Sequence, residues 1–93
     1  MSTERTEQLI RVGLMDEAER FLKTNLGRHL VDRAEAERDA AMAELKEADA
    51  ENPKYIRELQ NRIYRAESFQ FWLAELITEG RNALHEMQEN AQQ

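Results

Sequence analysis

Few side chains in this 93-residue chain could do covalent chemistry. The serines are Ser2 and Ser68, and the imidazoles are His29 and His85. There is no cysteine, which removes thiolate catalysis, disulfides and cysteine-based zinc sites. Nucleophilic catalysis needs a hydroxyl held against a base and a third group that orients the base. Nothing in the spacing joins Ser68 to either histidine, and a solvent-facing helical serine is the expected role. The three glycines are isolated, so no phosphate-cradling loop is present. Carboxylate di-iron bundles use Glu-x-x-His on one helix face. The residue three before His85 is Asn82, and the residue three before His29 is Leu26, so neither fits. The expectation is a non-enzymatic protein with no catalytic, cofactor-binding or metal-ligating residue. A metal-binding helical bundle is kept as an alternative, because the register below would bring Glu75 near His29 and Glu19 near His85.

The net charge of −6 disfavours phosphate backbones, which makes nucleic acid an unexpected partner. No run approaches the roughly 20 apolar residues of a membrane span, and no lysine-rich amphipathic face suggests a membrane surface. The segment Met1-Ser2-Thr3-Glu4-Arg5 lacks the apolar core of a signal peptide. A cytoplasmic or virion-associated location is expected.

The elements that would carry any site are helices. Glycine (3) and proline (1) are scarce, whereas alanine, glutamate, arginine, leucine and glutamine dominate. Asn52-Pro53 is the main punctuation: Asn52 suits an N-cap and Pro53 the first turn of a helix. Beyond it, Ile56, Leu59, Ile63, Ala66, Gln70, Leu73, Ile77, Gly80, Leu84 and Met87 recur in steps of three and four. That is a coiled-coil-like seam. Before it, Ala18, Leu22, Leu26, Leu30, Ala34, Glu37, Ala41, Leu45 and Ala48 form a second stripe, with a period nearer 3.7.

Folding at Asn52 pairs residues whose numbers total about 104. Leu45 then meets Leu59, Ala41 meets Ile63, Leu30 meets Leu73 and Leu26 meets Ile77, while Glu37 and Gln70 come within a turn of each other. Residues 35–51 hold seven acids and two bases, and residues 54–65 hold Lys54, Arg57, Arg62 and Arg65 against one glutamate. The register sets Glu47 near Arg57, Glu44 near Arg62 and Asp39 near Arg65. Each exposed pair contributes only about 0–1 kcal/mol, but together they favour this alignment.

The fold class expected is all-α: one domain over 1–93, built as a long antiparallel helical hairpin with a short N-terminal helical segment. That segment covers 1–15, starting at Ser2 or Thr3 and closing at Gly13 as a C-cap, with Asp16 and Glu19 restarting the helix. The first arm covers 16–51, with a break possible near 24–27, where Thr24 or Asn25 could cap a new helix. The second arm covers 53–90.

Three stretches carry a resemblance. They are Phe21-Leu22-x-Thr24-x-x-Gly27-Arg28-x-Leu30-x-x-Arg33-Ala34, then Ile56-x-x-Leu59-Gln60-Asn61-x-Ile63, then Ala66-Glu67-Ser68-Phe69-x-x-Trp72-Leu73-x-x-x-Ile77-x-x-Gly80. Over residues 20–84 the chain resembles small helical proteins encoded by tailed phages and prophages. The resemblance implies a phage setting and transfers no active-site residue.

Phe69-Gln70-Phe71-Trp72-Leu73 stands out. Leu73 belongs to the seam, Phe69 and Leu76 flank it, Trp72 lies farther round and Phe71 points nearly opposite. One neighbouring helix cannot bury all of these. Either the N-terminal segment, through Leu9, Ile10, Leu14 and Phe21, folds over some of them, or they form an interface. Aromatic residues are favoured anchors. The interface residues expected are Phe21, Phe69, Phe71, Trp72 and Leu76, in a homo-oligomer or against another phage or host protein. The function expected is structural or assembly-associated protein contact. The alternative is inhibition of a host protein, with the acidic arm imitating nucleic acid.

Overall fold

A computed structural model describes residues 3–91. Three helices account for nearly all of them: α1 (Thr3–Lys23), α2 (Asn25–Glu47) and α3 (Pro53–Ala91). The architecture is all-α, as the composition and periodicity require. α2 and α3 form an antiparallel pair next to the turn, and α1 packs along the distal half of α3. The result is a rod measuring 61 × 29 × 18 Å.

The turn forms as the sequence specifies. α2 ends at Glu47, four residues short of the expected 51, and Ala48 caps it in an extended conformation. The Asp49 carboxylate accepts the Glu51 amide at 2.9 Å, tightening the loop. The Asn52 side-chain oxygen then accepts the Tyr55 amide at 3.3 Å, so Asn52 is the N-cap and Pro53 opens α3.

The boundary expected at Gly13 is absent, and the break allowed near 24–27 is present. The short N-terminal helix ending at Gly13 does not exist as a separate unit. α1 passes through Gly13 and Asp16 unbroken, no glycine has a positive φ, and Asp16 pairs with Arg20 at 3.3 Å instead of capping. Gly13 costs about 1 kcal/mol against alanine. Packing overrides that cost, because Gln8, Val12, Met15, Ala18 and Leu22 make one continuous stripe of covered residues across it. The break falls instead at Thr24. Its hydroxyl accepts the Gly27 amide at 2.9 Å and donates to the Phe21 carbonyl at 2.6 Å, so one residue ends α1 and caps α2.

This break changes the register. Near the turn, Glu44 meets Arg62 and Glu35 meets Gln70, totals of 106 and 105 that match the expected alignment. Beyond Thr24, Gln8 meets Glu86 and Met15 packs at Gly80, totals of 94 and 95. From Glu35 to Met15 the first arm advances twenty residues while α3 advances ten, so the chain around Thr24 arches off α3. Leu26 therefore stands 61% exposed and does not meet Ile77.

The interior is built from small residues. Ala18, Ala41, Ala66 and Ala83 are buried with Gly27 and Gly80, and Leu59 is the one large side chain fully enclosed among the described residues. Seam residues Leu30, Ala34, Leu45, Ile56, Ile63, Leu73 and Ile77 are half-buried. Two glycines permit backbone-level contact. A Cβ at Gly27 would overlap the Phe21 carbonyl, and one at Gly80 would overlap the Met15 Cβ and stand 2.8 Å from the Arg11 carbonyl oxygen.

Candidate functional site

The side chains with chemical potential do not converge. Ser68 donates to the Tyr64 carbonyl at 2.7 Å, the usual bond of a helical serine to the preceding turn. His85 pairs with Glu89 on its own helix at 3.1 Å. Glu19 lies on the part of α1 that faces the region near Leu76, about two and a half turns of helix away from the pairing expected with His85 once the shift at Thr24 is applied. Among the described residues no three of His, Asp and Glu gather as a metal site.

The charged residues beside the turn are engaged with one another. Arg62 bridges Glu44 at 3.1 Å and Glu58 at 3.0 Å. Its guanidinium is held above the ordinary arginine range, chiefly by the hydrogen bond with Glu58. Arg33 pairs with Glu37 and Arg38 with Asp39, while Gln70 donates to Glu35 in place of Glu37. Asp39 thus takes a neighbour on α2 and not Arg65.

A groove of about 590 Å³ runs between α2 and α3. Its floor is Ala34, Ala41 and Ala66, its apolar walls are Leu30 and Phe69, and Arg33, Arg65 and Glu37 edge it. The groove defines one broad side of the rod. Phe69 precedes the seam residue Gln70, as Trp72 precedes Leu73 and Leu76 precedes Ile77. Leu14 and Phe21 likewise precede Met15 and Leu22 on α1. In an antiparallel pair the same flank of both arms faces the same side, because reversing a helix and turning its seam to the partner preserve that flank. Phe69, Trp72, Leu76, Leu14 and Phe21 therefore share the groove side.

The residues named as an interface occupy different environments. Phe21, Phe69 and Leu76 are half-buried, whereas Phe71 is 63% and Trp72 64% exposed. α1 leaves Phe71 and Trp72 largely uncovered. It packs on the seam at Gly80 and leaves its own Leu9, Ile10 and Leu14 exposed. Tyr64, 73% exposed, joins Phe71 on the back of α3 seven residues earlier. A seven-residue search outward from Phe71 would have found it in the sequence.

No family model, curated protein or solved structure matches the chain. No helix is long and apolar enough to cross a membrane.

Proposed function

We propose that this chain is a non-enzymatic helical protein that works through protein–protein contact, as a structural or assembly-associated component in a phage or prophage setting. One observation carries the contact reading. The interior is mostly alanine and glycine, while Trp72, Phe71 and Leu26 lie in solvent around the middle of the rod. A small domain gains little from exposing its largest apolar groups, and such patches mark interaction surfaces. The phage setting rests on the packing-pattern resemblance over residues 20–84, and a cytoplasmic or virion-associated location accompanies it.

The acidic-arm alternative draws less support, because Glu35, Glu37, Asp39 and Glu44 are each engaged by side chains of this same chain. The test is site-specific photocrosslinking in the producing cell. A photoreactive residue at Trp72 is expected to capture protein, and one at Lys54, exposed beside the turn and away from the aromatic residues, is not. Equal or absent capture from both positions refutes the contact reading.

A further inference from the structure

Five residues climb the groove-side flank of α3 in steps of four, three, four and three: Arg65, Phe69, Trp72, Leu76 and Glu79. That spacing makes them one stripe. It reads basic, apolar, aromatic, apolar, acidic, and reversed it is its own complement. We propose that a second copy of this chain docks on this stripe, with the two α3 helices antiparallel and a two-fold axis at Trp72. The proposal rests on the contact reading above and names the occupant of that surface.

The charges decide orientation. Arg65 lies seven residues before Trp72 and Glu79 seven after it, so the axis brings each Arg65 to the other copy's Glu79. Phe69 meets Leu76 and the two Trp72 rings pack together, a favourable arrangement for aromatic pairs. Neither Arg65 nor Glu79 has an ion-pair partner among the described residues, so both are available. A parallel arrangement would set Arg65 against Arg65 and Glu79 against Glu79, and like charges across an interface are penalised. Within one chain the two residues are about 21 Å apart along the helix, at 1.5 Å per residue, so they cannot satisfy each other.

The first arm fits the same axis. Phe21, Leu26 and Leu30 lie near the middle of the rod, so the apolar centre of one copy meets the apolar centre of the other. A side measuring 61 by 29 Å leaves room for the roughly 800 Å² per partner of a standard interface.

The test is sedimentation equilibrium on the full chain across a concentration series, read together with tryptophan emission. Trp72 is the only tryptophan, so its emission should shift to shorter wavelength as the dimer forms. Arg65→Glu should weaken dimerisation about tenfold or more by opposing two glutamates. Arg65→Glu with Glu79→Arg should restore it to within about threefold of the wild type. Both positions are exposed, and circular dichroism of each variant checks that its helices persist. A wild type that stays monomeric at about 100 μM overturns the proposal, as does a double variant no tighter than Arg65→Glu. If the chain is monomeric but still crosslinks to another protein from Trp72, the second copy is refuted and the contact reading stands.

Discussion

Replacing Gly80 by alanine tests the packing of α1 on α3 through a contest of two effects with opposite signs. In a helix interior, alanine is better than glycine by about 0.8–1 kcal/mol. Gly13, inside α1, supplies the reference: an added Cβ there meets nothing within 4 Å. Gly13→Ala should therefore stabilise the protein by about 1 kcal/mol. At Gly80 the new Cβ overlaps the Cβ of Met15, stands 2.9 Å from the Met15 Cγ and 2.8 Å from the Arg11 carbonyl oxygen. The Met15 Cβ is fixed to its backbone, so no rotamer relieves the overlap and α1 must move outward. Comfortable carbon contact needs about 3.5–4.0 Å, and overpacking of this kind costs about 1–3 kcal/mol. Separation also loosens Ala18 and Ala83, which are buried because the helices lie close. Gly80→Ala should lose about 1–2 kcal/mol net, placing it about 2–3 kcal/mol below Gly13→Ala. Urea denaturation followed by circular dichroism measures this, at one fixed concentration because self-association would shift apparent stability. The corresponding fall in Tm is about 4–8 °C per kcal/mol for a domain of this size. If Gly80→Ala gains stability as Gly13→Ala does, α1 does not pack on α3 at that level.

Two further substitutions probe the other joints. Leu59→Ala removes the one large side chain fully enclosed among the described residues and should cost about 2–5 kcal/mol in the same denaturation assay. A loss under 1 kcal/mol would mean the α2–α3 seam is not closed around it. Thr24→Ala removes the acceptor of the Gly27 amide and should cost about 1 kcal/mol, whereas Thr24→Ser should keep most of the cap. Equal losses from both would show that the methyl group, and not the hydroxyl, holds the junction.

The hairpin near Asn52-Pro53 was legible because each signal there is local. A cap residue, a proline and opposite charges on adjacent arms all agree, and Glu44–Arg62 forms as the register demands. The distal half was less legible. Gly13 looks like a helix end in sequence, since glycine supports both an end and an interior, and only the stripe from Gln8 to Leu22 against α3 decides between them. Thr24 carried a readable capping signal, but the arch it produces did not, because the angle between α1 and α2 depends on how closely Gly27 approaches Phe21. The sequence stripe placed Leu26 in the seam, and that arch carries it out. The aromatic residues were recognised as exceeding the cover that one neighbouring helix can give. Which side each faces became clear only with the groove between α2 and α3, and Tyr64 was missed because it lies outside the contiguous aromatic cluster.

The single-residue joint at Thr24 also divides the time course of folding. α2 meets α3 across short loops: Glu44 and Arg62 are 18 positions apart. α1 reaches α3 only across long ones: Gln8 and Glu86 are 78 positions apart. The entropy of closing the longer loop exceeds that of the shorter by about 1.3 kcal/mol from the logarithmic length dependence. The turn-proximal pair therefore closes first and α1 docks last, onto a strand of helix already held in place. In the native protein the same order runs backwards. α1 should be the first segment to open, and native-state hydrogen exchange should find its amides released at a lower free energy than those around Leu59. A rod that looks continuous thus behaves as a closed clasp with a hinged arm, and Thr24 is the pivot.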